Sequence, residues 1–180
     1  MVENSNEPVV VNAFMLKMLH PLKPSINEMK AIVQKLQDQN KIYEAGVVAV
    51  FLGYMLGVHS LILETKSYIL YPDKVSQPEI GTIDLICNQI NRCSAMQKDY
   101  GLHSEQGITV NYELALQKLE ALKDLFKAEQ PDRTALSDVI VDLIYVTLEA
   151  CDRLMNDLSL KIKDRVAEEE AKSEPVSDKQ

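Results

Sequence analysis

The chain has 180 residues, 46% apolar and 26% charged, enough for one domain around a single core. Its formal charge of −8 and its lack of tryptophan argue against nucleic-acid or anionic-membrane binding, which needs clustered Lys and Arg and often stacking aromatics. Cys87, Cys93 and Cys151 have no CxxC spacing and read as buried thiols of a reducing compartment. The acidic, polar start MVENSNEPVV lacks the basic-then-apolar order of a secretory signal.

In chain order, residues 1–8 are expected to be a flexible terminus and 9–19 a short apolar helix, stopped by Pro21 and Pro24. Ser25 with Glu28 three residues on forms a capping box for the next helix. That helix carries Met29, Ile32, Val33 and Leu36 on one face and Lys30, Gln34, Lys35 and Gln37 opposite.

Residues 45–63 follow as a nearly unbroken apolar run, AGVVAVFLGYMLGVHSLIL. A membrane span needs about 20 apolar residues, and Gly53-x-x-x-Gly57 has the small-residue spacing of packed membrane helices. Lys41 and Glu44 precede the run, Glu64 and Lys66 follow it, and the neighbouring helices are apolar on one side only. The run is therefore expected to be the buried central helix of a globular domain, without direct membrane insertion. Residues 60–64 and 68–71 are rich in β-formers and flank Thr65-Lys66-Ser67, which predicts a small β-hairpin.

Pro72-Asp73 ends that segment, and Pro78-Glu79 opens a helix with Ile80, Ile83, Ile86, Ile90 and Cys93 on one face. Gly101 and Gly107 mark a loop over 100–109. A helix near 111–128 then places Ala115, Leu119, Leu122 and Phe126 together. Pro131-Asp132 interrupts, and a long last helix starts near Thr134, with Leu136, Val139 or Ile140, Leu143, Thr147, Cys151, Leu154 and Leu158 on its apolar face. Residues 167–180 read as a disordered charged tail. The fold expected is mainly α (α+β), one multi-helix globular domain over 9–166 with a central buried helix and a small hairpin.

Catalytic and cofactor motifs are scarce. His20, His59 and His103 sit in different elements without carboxylates at ligand spacing, and no HExxH, P-loop, GxGxxG or Gly-x-Ser-x-Gly pattern occurs. No metal or cofactor site is expected. Asp138 and Asp142, with Glu120 and Asp124 on the preceding helix, resemble the carboxylates of all-helical nucleotide pyrophosphohydrolases, which hold Mg²⁺ against a triphosphate. Gln117 and Val139 stand where that family needs carboxylates, and i,i+4 acids also describe a solvated helix face.

Leu52-Gly53-Tyr54-Met55-Leu56-Gly57, the segment up to Tyr71, and Pro72-Asp73-Lys74-Val75-Ser76-Gln77-Pro78 leading into Leu85-Ile86-Cys87 resemble the IcmS/LvgA-like small acidic adaptor chaperones of the Dot/Icm type IVB secretion system. The resemblance covers roughly residues 45–92. This chain is longer, and its two C-terminal helices have no counterpart in IcmS. The resemblance implies a non-enzymatic cytoplasmic adaptor, associated with the inner-membrane coupling complex through its partners. Those partners would be IcmS/IcmW-like sister adaptors, the C-terminal tail of the coupling protein, and effector proteins.

Leu52, Gly53, Tyr54, Met55 and Gly57 are the candidate partner-binding residues, and the same residues also suit core packing. Met15, Met18, Met29 and Met55 are open to the same two readings, as adaptable contact residues or as core filling. The first alternative to the adaptor, ahead of the hydrolase, is a translocated effector, which rests on Glu168-Glu169-Glu170, similar to the glutamate-rich C-terminal signals of type IVB substrates.

Overall fold

The computed structural model describes residues 22–102 and 112–173, with side chains as far as Val166. The expected helix at 9–19, the N-terminal start, Met15, Met18, His20, His103, most of the 100–109 loop and residues 174–180 lie outside the described residues.

Five helices follow one another: α1 (Leu22–Asp38), α2 (Ile42–Leu70), α3 (Ile80–Asp99), α4 (Glu113–Phe126) and α5 (Arg133–Ser173). Each packs on the next, α5 returns to α1, and α2 crosses the middle to meet α5. The result is a closed ring of helices around one core.

Helix α1 starts earlier than the capping box suggests. Pro24 sits in its first turn, where a missing N–H costs nothing, so this proline is accommodated at the helix start. It ends at Asn40, whose φ of 57° is left-handed. There Lys41 N donates to Leu36 O at 2.8 Å and Asn40 N to Gln37 O at 2.9 Å, a Schellman closure. The same closure ends α3 at Gly101, φ 74°, with Leu102 N on Gln97 O at 3.0 Å and Gly101 N on Lys98 O at 2.9 Å. Helix α5 is capped by Asp132, whose Oδ1 accepts from Thr134 N at 2.9 Å and Ala135 N at 3.2 Å.

The small β-hairpin expected at 60–71 is not present, and no strand occurs among the described residues. Helix α2 continues instead to Leu70. Val58, Ile62, Thr65 and Ile69 recur at helical spacing and are all buried, so its β-branched residues serve one helix face. Thr65 Oγ1 donates to Leu61 O at 2.7 Å and Ser67 Oγ to Leu63 O at 2.8 Å. These bonds satisfy inside a helix the hydroxyls that suggested a turn. Pro72 stops the helix just after Tyr71.

Helix α2 is the one helix among the described residues long and apolar enough to cross a membrane. Here its Val48, Phe51, Tyr54, Met55, Val58 and Leu61 are buried among the other helices. Helix α4 buries Ala115, Leu119, Leu122 and Phe126, the face read from its spacing. On α5 the buried face is Leu136, Ile140, Leu143, Thr147, Cys151, Leu154 and Leu158, with Val139 at its margin. Helix α5 also runs to Ser173, past the boundary expected at 166.

Candidate functional site

Of the five candidate partner-binding residues, Tyr54 and Met55 are fully buried, and Leu52, Gly53 and Gly57 are partly so. Tyr54 OH lies 2.9 Å from Thr147 Oγ1, whose own proton goes to Leu143 O at 2.7 Å. Phe51 and Tyr112 both meet Tyr54 edge-on and lie tilted to one another, completing an aromatic cluster. Burial raises the Tyr54 hydroxyl well above its ordinary pKa, so it remains a neutral hydrogen-bonding group.

The glycines face α3. A Cβ at Gly53 would lie 2.7 Å from Gln89 Nε2, and one at Gly57 3.0 Å from Ile86 Cγ1. This closeness lets Gln89 Nε2 donate to Val50 O at 2.9 Å and the Cys93 thiol to the same oxygen at 3.5 Å. The motif thus joins α2 to α3 and α5 within the chain.

Three of the four acids likened to a hydrolase site pair with lysines. Asp142 pairs with Lys118 at 2.6 Å, Glu120 with Lys123 at 3.0 Å and Asp124 with Lys127 at 2.8 Å, while Asp138 is exposed. Among the described residues no group of three or more His, Cys, Asp or Glu side chains is placed to hold a metal ion. A groove of about 600 Å³ between α1 and α5 is lined by Glu28, Met29, Ile32, Cys151, Asp152 and Met155. Arg153, Asn156, Ser25 and Ser159 complete its mixed polar and apolar lining.

The end of the bundle holds a different arrangement. Glu44, in the first turn of α2, is buried. Its Oε1 accepts from Tyr100 OH at 2.7 Å and from Arg165 Nη1 at 2.8 Å. Burial raises the carboxyl pKa, but the Tyr100 hydroxyl, the Glu44 backbone amide, Arg165 and Lys41 together outweigh it and hold the group below its ordinary value. Tyr43 stacks on Tyr100, ring centroids 5.2 Å apart and planes 21° from parallel.

Around this clamp Ile42 is 61% and Tyr43 48% exposed, and α5 adds exposed Leu160 and Val166. From Arg165 to Ser173 helix α5 rises about 12 Å further, running past the start of α2. Ile42, Tyr43, Tyr100 and Arg165 were not singled out by the sequence. No local pattern marks them, because they meet only when α2, α3 and α5 come together.

No protein-family model matches the chain, and comparison with curated proteins and with solved structures finds no match either.

Proposed function

We propose that this protein is a non-catalytic protein-binding adaptor, and that its partner surface is the α2–α3–α5 end of the bundle. The observation that carries the reading is the exposed Ile42–Tyr43 pair beside the Tyr100–Glu44–Arg165 clamp. Tyr and Arg supply a large share of binding energy at protein interfaces, and apolar contact centred on them is how a partner is held. The clamp fixes these side chains before a partner arrives, which lowers the ordering cost of binding.

The resemblance of residues 52–57 to the IcmS/LvgA-like adaptors supplies the partner class. In this reading the protein is cytoplasmic and sits at the inner-membrane coupling complex through IcmS/IcmW-like adaptors and the coupling-protein tail. There it helps to present effector proteins for export. Residues 52–57 would then hold the scaffold, and the bundle end would do the binding.

Co-purification of the full chain with an IcmS–IcmW-type pair, or with a coupling-protein C-terminal tail, tests the reading. Retention of either by the wild type and its loss in Tyr43→Ala supports it. A monodisperse protein that retains neither contradicts it.

A further inference from the structure

Helices α1 and α5 are the most sparsely packed pair of neighbouring helices among the described residues. The space left between them is the groove of about 600 Å³. Its floor is apolar: Met29 and Cys151 are buried beneath it, and Ile32 and Met155 are partly buried along it. Thioethers are polarizable and unbranched, so a floor built on them adapts to the apolar side chains of an occupant.

The rims carry charge of one sign. Glu28 on α1 and Asp152 on α5 line opposite walls and are exposed. Neither has a cationic partner within 4 Å among the described residues. Arg153, the cation on the lining, is turned back along its own helix to Glu149, Nη2 to Oε1 at 2.5 Å. Burial, and after it the Asp152 and Glu28 carboxylates, push the Cys151 thiol up to about 11, so both acids act on the floor between them.

This arrangement selects the occupant. A small-molecule site encloses its ligand and converges polar groups on it. Here the free carboxylates stand at exposed rims above an apolar floor, which suits a molecule that keeps one side in solvent. From Cys151 to Ser159 the groove runs about 12 Å, roughly two turns of helix. Over that length an amphipathic helix offers apolar anchors at i, i+3, i+4 and i+7. Lysine or arginine flanking those anchors lays its stem on apolar surface and brings its charged head to a carboxylate.

We propose that the α1–α5 groove docks a short basic amphipathic helix of a partner protein, with its apolar face on Ile32 and Met155 and its cations on Glu28 and Asp152. The net charge of −8 draws such a segment in from a distance. The inference does not rest on the adaptor reading, because no groove residue belongs to the Ile42–Tyr43 end.

The probe is a fluorescein-labelled peptide of about 14 residues, leucine at helical spacing and lysine elsewhere, titrated with the full chain and followed by anisotropy. A second peptide carries glutamate in place of each lysine. The wild type should bind the lysine peptide at one site, and Glu28→Gln/Asp152→Asn should bind it at least tenfold more weakly. Glu129→Gln/Asp138→Asn makes the same charge change at exposed acids off the groove and should bind as the wild type does. Ser159→Cys, on the groove lining, locates the peptide: saturation should slow its maleimide labelling at least tenfold and leave Cys87 unchanged. No binding of the lysine peptide overturns the proposal, and so does equal binding of the glutamate peptide. Equal loss in the two double variants overturns it in favour of attraction to net charge alone. Unchanged labelling of Ser159→Cys overturns it too. Labelling of Ser159→Cys that is already slow without peptide overturns it in favour of this chain as the occupant, a second copy if the protection grows with protein concentration.

Discussion

Tyr54 on α2 and Thr147 on α5, 93 residues apart, share a buried hydrogen bond of 2.9 Å. Thr147 spends its proton on Leu143 O, so Tyr54 is the donor and Thr147 its acceptor. Two helices that must meet for the ring to close are joined by one neutral polar contact inside an apolar core.

That geometry sets a pattern for mutations. Thr147→Val leaves the Tyr54 hydroxyl buried without a partner and should cost about 1–3 kcal/mol, whereas Tyr54→Phe should cost about 1 kcal/mol. The double variant should lose less than the sum, because removing both partners leaves nothing unsatisfied. Urea unfolding of the four proteins checks this. Strict additivity would contradict it.

Three glycines should respond differently to alanine. Gly81 meets nothing within 4 Å, so Gly81→Ala should stabilise, by up to about 1 kcal/mol. Gly53→Ala should be close to neutral, since the helix-propensity gain is offset by displacing Gln89 from Val50 O. Gly57→Ala presses on Ile86 near its stiff branch point and should be the worst of the three, losing up to about 2 kcal/mol. Thermal or urea midpoints give the order directly.

Glu44 predicts a pH dependence. Its carboxyl is held below the ordinary value in the fold and returns to about 4.3 on unfolding. Its contribution is therefore full above the unfolded value and is lost as pH falls through the folded one. Glu44→Gln should lose about 1–3 kcal/mol at neutral pH, and the gap from wild type should close in acid. A gap that widens as pH falls would contradict the assignment.

The thiols give a fourth check. Burial pushes Cys93 up to about 12 and Cys151 up to about 11, and both are buried by the packing of the bundle. Cys87, also raised by burial, is the more accessible. In the native protein at pH 8, a thiol reagent should modify Cys87 first and Cys93 last. All three should react alike once urea unfolds the chain.

Much of the core was legible from spacing. Leu119, Leu122 and Phe126 on α4, and Leu143, Thr147 and Leu154 on α5, sit on single apolar faces that a helical repeat reveals. The segment to Tyr71 was misread because Ile62, Thr65, Tyr68 and Ile69 favour strands in isolation. In the fold they continue a helix whose burial outweighs that preference.

The motif at 52–57 stood out for its glycines and its tyrosine, and local pattern could not say whether they faced a partner or α3. The bundle end was hidden for another reason. Glu44, Tyr100 and Arg165 come from three distant helices, and nothing in their local sequence announces that they meet.

The most direct test of the account is titration calorimetry of an IcmS–IcmW-type pair, and separately of a coupling-protein C-terminal tail, into the full chain and into its Ile42→Asp/Tyr43→Ala variant. The account predicts binding of at least one by the wild type and at least a tenfold loss in the variant, which should stay folded with a slightly lower unfolding midpoint from the lost Tyr43–Tyr100 stacking. Wild-type binding of neither partner, or equal binding by the variant, would contradict it.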